Sequence, residues 1–152
     1  MAEVLAWLVG GVLVVLCGIH AYWAFGGKRG YEAALPEVGS SGGFERASDA
    51  KKEKAFRPGK LATLLVAALL AVAAWATLEL GGAVPRALFS ERLSQAGGWF
   101  LGALFLVRAV GDFKYLGLFK RLKGTTFARW DTKLYTPLCF LLGSALLTIT
   151  VL

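Results

Sequence analysis

Histidine, cysteine and catalytic signatures are all scarce in this chain. A single histidine, His20, in 152 residues cannot build a multi-histidine metal centre. The two cysteines, Cys17 and Cys139, both fall inside long apolar runs, in neither CxxC nor metal-ligand spacing, and are expected to pack as small apolar residues. There is no HExxH, no nucleophile elbow and no glycine-rich phosphate loop followed by lysine and a hydroxyl residue. No motif therefore fixes a reaction or a substrate, and we expect no metal and no cofactor.

Carboxylates are scarce as well, with 10 Asp and Glu against 17 Lys and Arg. Glu79 falls at the end of an apolar run rather than in its middle, so the central carboxylate of a compact proton-coupled exporter is missing. The net charge of +7 would suit nucleic acid, but its distribution argues otherwise. One basic block runs from Lys28 to Lys60 and a second from Lys114 to Lys133, while the segment between apolar runs two and three holds only Arg86 and Arg92. Such alternation is a topology signal, with anionic lipid headgroups as a secondary partner.

What fills the sequence instead is hydrocarbon: 57% of residues are hydrophobic and the mean hydropathy is +0.60, outside the ordinary soluble range. Crossing a bilayer core takes about 20 helical residues. The sequence predicts one domain, 1–152, folded as an all-α, four-helix transmembrane bundle with spans near 4–25, 61–80, 95–115 and 134–152. Loops 26–60 and 116–133 are then cytoplasmic, loop 81–94 is external and both termini lie outside. The first run opens on Glu3, is long for a signal peptide and is followed by no small-x-small site, so it is expected to stay as a helix.

Helical spacing places Leu13, Cys17, His20 and Ala24 on one face of span one, with Trp23 on its flank and Tyr22 turned away; Gly26-Gly27 should end the helix. The segment 28–60 reads as polar loop with one short helical turn at Tyr31–Pro36. In span two, Ala67, Ala71 and Ala74 should let a neighbour approach closely. A surface amphipathic helix is expected from Pro85 to Ala96, closed by Gly97. Span three begins with a GxxxG, Gly98 and Gly102, whose face continues through Phe105, Ala109 and Asp112 with Arg108 at its margin; it suits the bundle interior or a homo-oligomer. Span four counts only 16 residues from Pro137, about 24 Å at 1.5 Å per residue. We expect Thr136 to cap it with Pro137 in first place, the alternative being a helix from near Ala128 kinked at the proline.

Charges inside apolar spans mark candidate sites. His20, Trp23, Arg108, Asp112, Asp131 and Tyr135 fall at one depth near the cytoplasmic ends of spans one, three and four, and form the candidate polar cluster. It has the chemistry to bind an anionic headgroup or to handle protons; the plainer reading is that Arg108 and Asp112, four apart, neutralise each other and that His20 makes an interhelical hydrogen bond. Lys120, Arg121, Lys123 and Arg129 are expected to contact headgroups, with Tyr115, Phe119, Phe127 and Trp130 as an interfacial belt.

The strings HAYWAFGG with ALP, FRPGKLATL, FLVRAVGDFKYLGLFKR and FARWDTKLYTPLC together resemble a family of small bacterial four-pass membrane proteins known as a domain of unknown function. The matching positions are His20, Trp23, Gly26, Gly27, Pro36, Arg108, Gly111, Asp112, Lys120, Asp131, Tyr135 and Pro137, and they span nearly the whole chain. The insert GSSGGFERASDAKKEK is longer than that family's pattern. The resemblance implies a bacterial inner-membrane location and a four-helix fold, and brings no activity. Two functions stay open: a non-enzymatic protein binding a lipid headgroup or a membrane partner protein through the cluster, or a small enzyme or carrier for an amphiphile with His20 and Asp112 handling protons and Arg108 clamping an anion.

Overall fold

Four apolar helices fold against one another in up-and-down order in a computed structural model that describes residues 1–36, 58–111, 117–121 and 125–152. The elements are α1 (Ala2–Ala24), α2 (Tyr31–Ala34), α3 (Lys60–Leu80), α4 (Glu91–Val110), α5 (Thr126–Trp130), a π turn (Asp131–Tyr135) and α6 (Thr136–Val151). No strand occurs among the described residues. α1, α3, α4 and the continuous helix Thr126–Val151 are each long and apolar enough to cross a membrane.

Helices in lipid gain little from burying hydrocarbon and associate through close packing, so small residues sit where they meet. α1 lies chiefly along α3, and α4 chiefly along α6. A Cβ on Gly10 of α1 would stand 3.1 Å from Leu78 of α3. A Cβ on Gly143 of α6 would stand 2.9 Å from the Gly102 carbonyl of α4, and one on Gly98 would collide with Thr150 and Leu80. The GxxxG face is thus occupied within the bundle. Between the two pairs lies a core of Ala6, Val9, Leu13, Ala73, Ala74, Leu142, Leu146 and Ile149. On α3 the buried seam runs Thr63, Ala67, Ala74 and Thr77 with Leu70 half-buried, a spacing of 3.5 that places Ala71 one position round the helix, where it is exposed.

Two boundary expectations are overturned. No separate surface helix runs from Pro85 to Ala96: residues 81–90 are non-helical, and Ser90 caps α4, its Oγ accepting from the Leu93 amide, so the helix starts at Glu91 and passes straight through Gly97. Span four does not begin at Thr136. Thr125 caps α5, and the helix continues through the π turn past Pro137 to Val151, which supplies the length that 16 residues lacked. Proline has no amide to donate four residues back, and the wider turn beside it sends the Thr136 amide five residues back, to the Asp131 carbonyl. At the ends of α1 and α2 the expectations match: α1 stops at Ala24 before Gly26, whose φ of +94° suits glycine, and Tyr31–Ala34 is a helical turn. The expected end of span three at 115 is overturned as well: α4 ends at Val110 because Gly111, at φ +89°, leaves the helix; the insert at 39–54 lies outside the described residues.

Candidate functional site

The end of the bundle that carries the basic loops holds a fully buried carboxylate. Arg108 sits in the last turn of α4, and Gly111, at φ +89°, ends that helix. The chain comes back over the helix end, the Leu118 amide donating to the Ala109 carbonyl at 3.0 Å. Gly117 makes this return possible. Its φ is +82°, and a Cβ there would run into the Val110 carbonyl. Its amide then faces Asp131 at the start of the π turn.

Asp131 has 0% side-chain exposure and collects four donors. Arg108 Nη2 donates to Oδ1 at 2.8 Å; on Oδ2, Lys120 Nζ and the Gly117 amide each donate at 2.9 Å and the Thr136 hydroxyl at 3.2 Å. Lys120 Nζ also donates to the Gly117 carbonyl at 3.1 Å. A buried carboxylate is tolerable only when its lone pairs are met by charge and hydrogen bonds, and here both conditions hold. Among the described residues two cations face one anion, which leaves that set of side chains with an excess positive charge. Arg108 Nη1 is buried with no partner among the described residues, while the side chain as a whole is 29% exposed. Such a donor array is suited to holding an oxyanion.

The expected cluster is not one group. Arg108 and Asp131 are joined directly. Tyr135 packs its ring against Phe127 with centroids 6.1 Å apart. His20 and Trp23 belong to a second group: His20 Nδ1 donates to the Leu16 carbonyl at 2.8 Å within its own helix, and its ring meets Trp23 edge-on at 5.2 Å. Trp23 Nε1 donates to the Arg29 carbonyl at 2.9 Å, and the ring meets Tyr31 at 5.9 Å. The described contacts of His20 therefore stay on the α1 side and replace the expected interhelical bond. Asp112 and Lys123 lie outside the described residues, as does Tyr115; the partner described for Arg108 is Asp131, on a different helix. Arg121 and Arg129 are exposed. Lys120 corrects the expectation of a headgroup contact: it is 6% exposed, because the return through Gly117 folds it onto Asp131.

Sequence reasoning missed three contributors. Gly117 and Thr136 bring uncharged donors, whose role depends on the loop return and the π turn. Glu79 forms a second buried charge at the opposite end, 1% exposed. Its Oε1 accepts from Trp75 Nε1 at 2.7 Å and from the Ala87 and Leu88 amides at 3.0 and 2.8 Å, and its Oε2 from the Phe89 amide at 3.1 Å. The pair Trp75 and Glu79, four apart at the end of an apolar run, was the available signal. Three consecutive amides on one carboxylate fix the loop between α3 and α4, a structural task.

No curated protein matches the chain, and no solved structure does. A family model does match it, over residues 13–146, a stretch that holds His20, Glu79, Arg108, Lys120 and Asp131. On that match, covering most of its length, the chain belongs to the family described as protein of unknown function DUF3995.

Proposed function

We propose that this is a non-enzymatic multi-pass protein of the bacterial inner membrane, with both termini outside, that binds an anionic lipid headgroup at its cytoplasmic end. The observation that carries the reading is the Arg108 guanidinium: among the described residues one nitrogen is spent on Asp131, the other is buried and unbonded, and Lys120 adds a second cation to the one carboxylate. Exposed Arg121 and Arg129 on the neighbouring loop and helix add long-range attraction for the same leaflet. The described contacts of His20 are with Leu16 and Trp23 on its own helix and not with Arg108, so they lend the alternative that joins these residues in one site no support.

The test is native mass spectrometry of the purified protein with phosphatidylglycerol against phosphatidylcholine. Wild type should retain phosphatidylglycerol, and Arg108→Gln should weaken that preference about tenfold, the scale of one charge-assisted hydrogen bond. Arg121→Gln/Arg129→Gln, on exposed positions that leave the fold intact, should weaken it by a smaller factor. Unchanged retention in both variants, with only stability lowered in the first, would remove the basis of the proposal.

Orientation has its own measurement. In a Cys17→Ala/Cys139→Ala background, a cysteine at Arg86 should react with a membrane-impermeant maleimide in intact cells, and one at Arg29 only after permeabilisation. Both positions are exposed, so accessibility reports sidedness. The reverse pattern would invert the topology.

A further inference from the structure

A concavity lies on the other half of the same end, where α1 stops and α3 starts. Its volume is about 350 Å³. Gly26 and Gly27 form the side left by the end of α1, Pro58 and Thr63 the side of α3, and Trp23 and Tyr31 the aromatic wall. Lys28, in the turn between α1 and α2, and Lys60, at the start of α3, line it and are both exposed, so the concavity is reachable from outside the bundle. Glu32 lines it too and has a partner of its own. Even with Glu32 counted as charged, two ammonium groups leave the described lining residues positive.

The aromatic wall is fixed without any ligand. Trp23 is tied by its indole N–H to the Arg29 carbonyl and braced edge-on by His20 and Tyr31, and the Tyr31 hydroxyl donates to the Pro58 carbonyl at 3.4 Å. That last bond ties the lead-in of α3, which carries Lys60, to α2, the helical turn that follows Lys28. A rigid apolar face opposite two flexible cations suits a ligand with an anionic head and a short carbon body. A bare hydrocarbon chain gains nothing from the lysines, and a cation is repelled by them.

Depth narrows the choice further. The headgroup layer on each side of the hydrocarbon core is about 5–7 Å thick. The concavity lies at the junction of two spanning helices with their polar flanks, which is that layer whichever side faces the cytoplasm. A pocket near the lower end of the usual size range for small ligands takes a group of glycerophosphate size and not a whole lipid. We propose that this concavity is a binding site for a phosphate ester, supplied by a phospholipid headgroup or by a soluble phosphate of the same size, with Lys28 and Lys60 on the phosphate and Trp23 and Tyr31 against its carbon body. Its side chains are distinct from those of the Arg108 cluster, so the two sites stand or fall separately.

Stoichiometry separates them. The full-length protein in detergent is titrated with dihexanoyl phosphatidylglycerol, with glycerol 3-phosphate and with dihexanoylglycerol, which lacks phosphate, and bound equivalents are counted by native mass spectrometry and calorimetry. Lys28→Gln/Lys60→Gln, at exposed positions that spare the fold, should lose one phosphatidylglycerol equivalent, with affinity there falling at least about tenfold. Arg108→Gln should keep that equivalent. Binding of glycerol 3-phosphate as tight as that of the lipid supports the site and names a soluble ligand; lipid binding alone supports it and names the membrane. Wild-type binding in the double lysine variant, or dihexanoylglycerol binding as tightly as phosphatidylglycerol, overturns it.

Discussion

Asp131→Ala should unfold this protein more readily than any other single truncation of a polar side chain at the basic end, by about 3–5 kcal/mol. The substitution leaves Arg108 and Lys120 facing each other without the carboxylate that both address at 2.8 and 2.9 Å, and Lys120 is nearly without solvent. It also orphans the Gly117 amide and the Thr136 hydroxyl. The loss from Lys120→Met should be smaller, about 1–3 kcal/mol, because the Arg108 pair survives and the thioether fills the space of the alkyl chain. Reversible unfolding in mixed micelles checks the order. A loss under about 1 kcal/mol for Asp131→Ala would mean that water reaches the carboxylate and that the cluster is held by other contacts.

Glu79→Ala should be comparably damaging, about 2–4 kcal/mol, through a different mechanism. No cation is paired with this carboxylate among the described residues; its four donors are one indole and three backbone amides. Removing it strands amides of Ala87, Leu88 and Phe89 that no other described group satisfies. The discriminating readout is therefore amide hydrogen exchange: these three positions should change from slow to fast exchange while the middle of α4 stays protected. Glu79→Gln should fall between, since its NH2 faces at least one donor. Retained protection at 87–89 in the alanine variant would show the loop to be fixed by packing instead.

How far the sequence discloses this molecule depends on whether a residue acts through its own helix or through a change of chain direction. The four spans are visible because hydropathy is a local property, and the Gly98 and Gly102 face is visible because helical spacing relates its members directly. The outer loop was misread as an amphipathic helix because the apolar residues Leu88 and Phe89 fall at positions that a helix from Pro85 would bury, whereas their amides are drawn to Glu79, which hydropathy leaves at the margin of a span. Lys120 was misread because a basic turn ordinarily faces headgroups; what turns it inward is Gly117, whose left-handed backbone is not encoded in charge or hydropathy. Arg108 and Asp131 were both singled out as costly charges, but the natural partner on spacing alone was Asp112, four residues along. His20 and Trp23 were at the right depth for a single cluster. Depth along a helix does not determine which neighbour a face meets, and theirs turns to α2.

The π turn at Asp131 carries a consequence for reading frame along the last helix. In a regular helix, residues five apart are separated by about 140° and face apart; in a π turn of about 4.4 residues they come within about 50° of each other. The bond from Thr136 to Asp131 exists only on the second geometry. Everything from Thr126 to Asp131 is thus phase-shifted by one residue relative to α6. A helical wheel drawn through the whole segment assigns the cluster and the Gly143 seam to the wrong relative faces, and two wheels joined at the turn bring both inward.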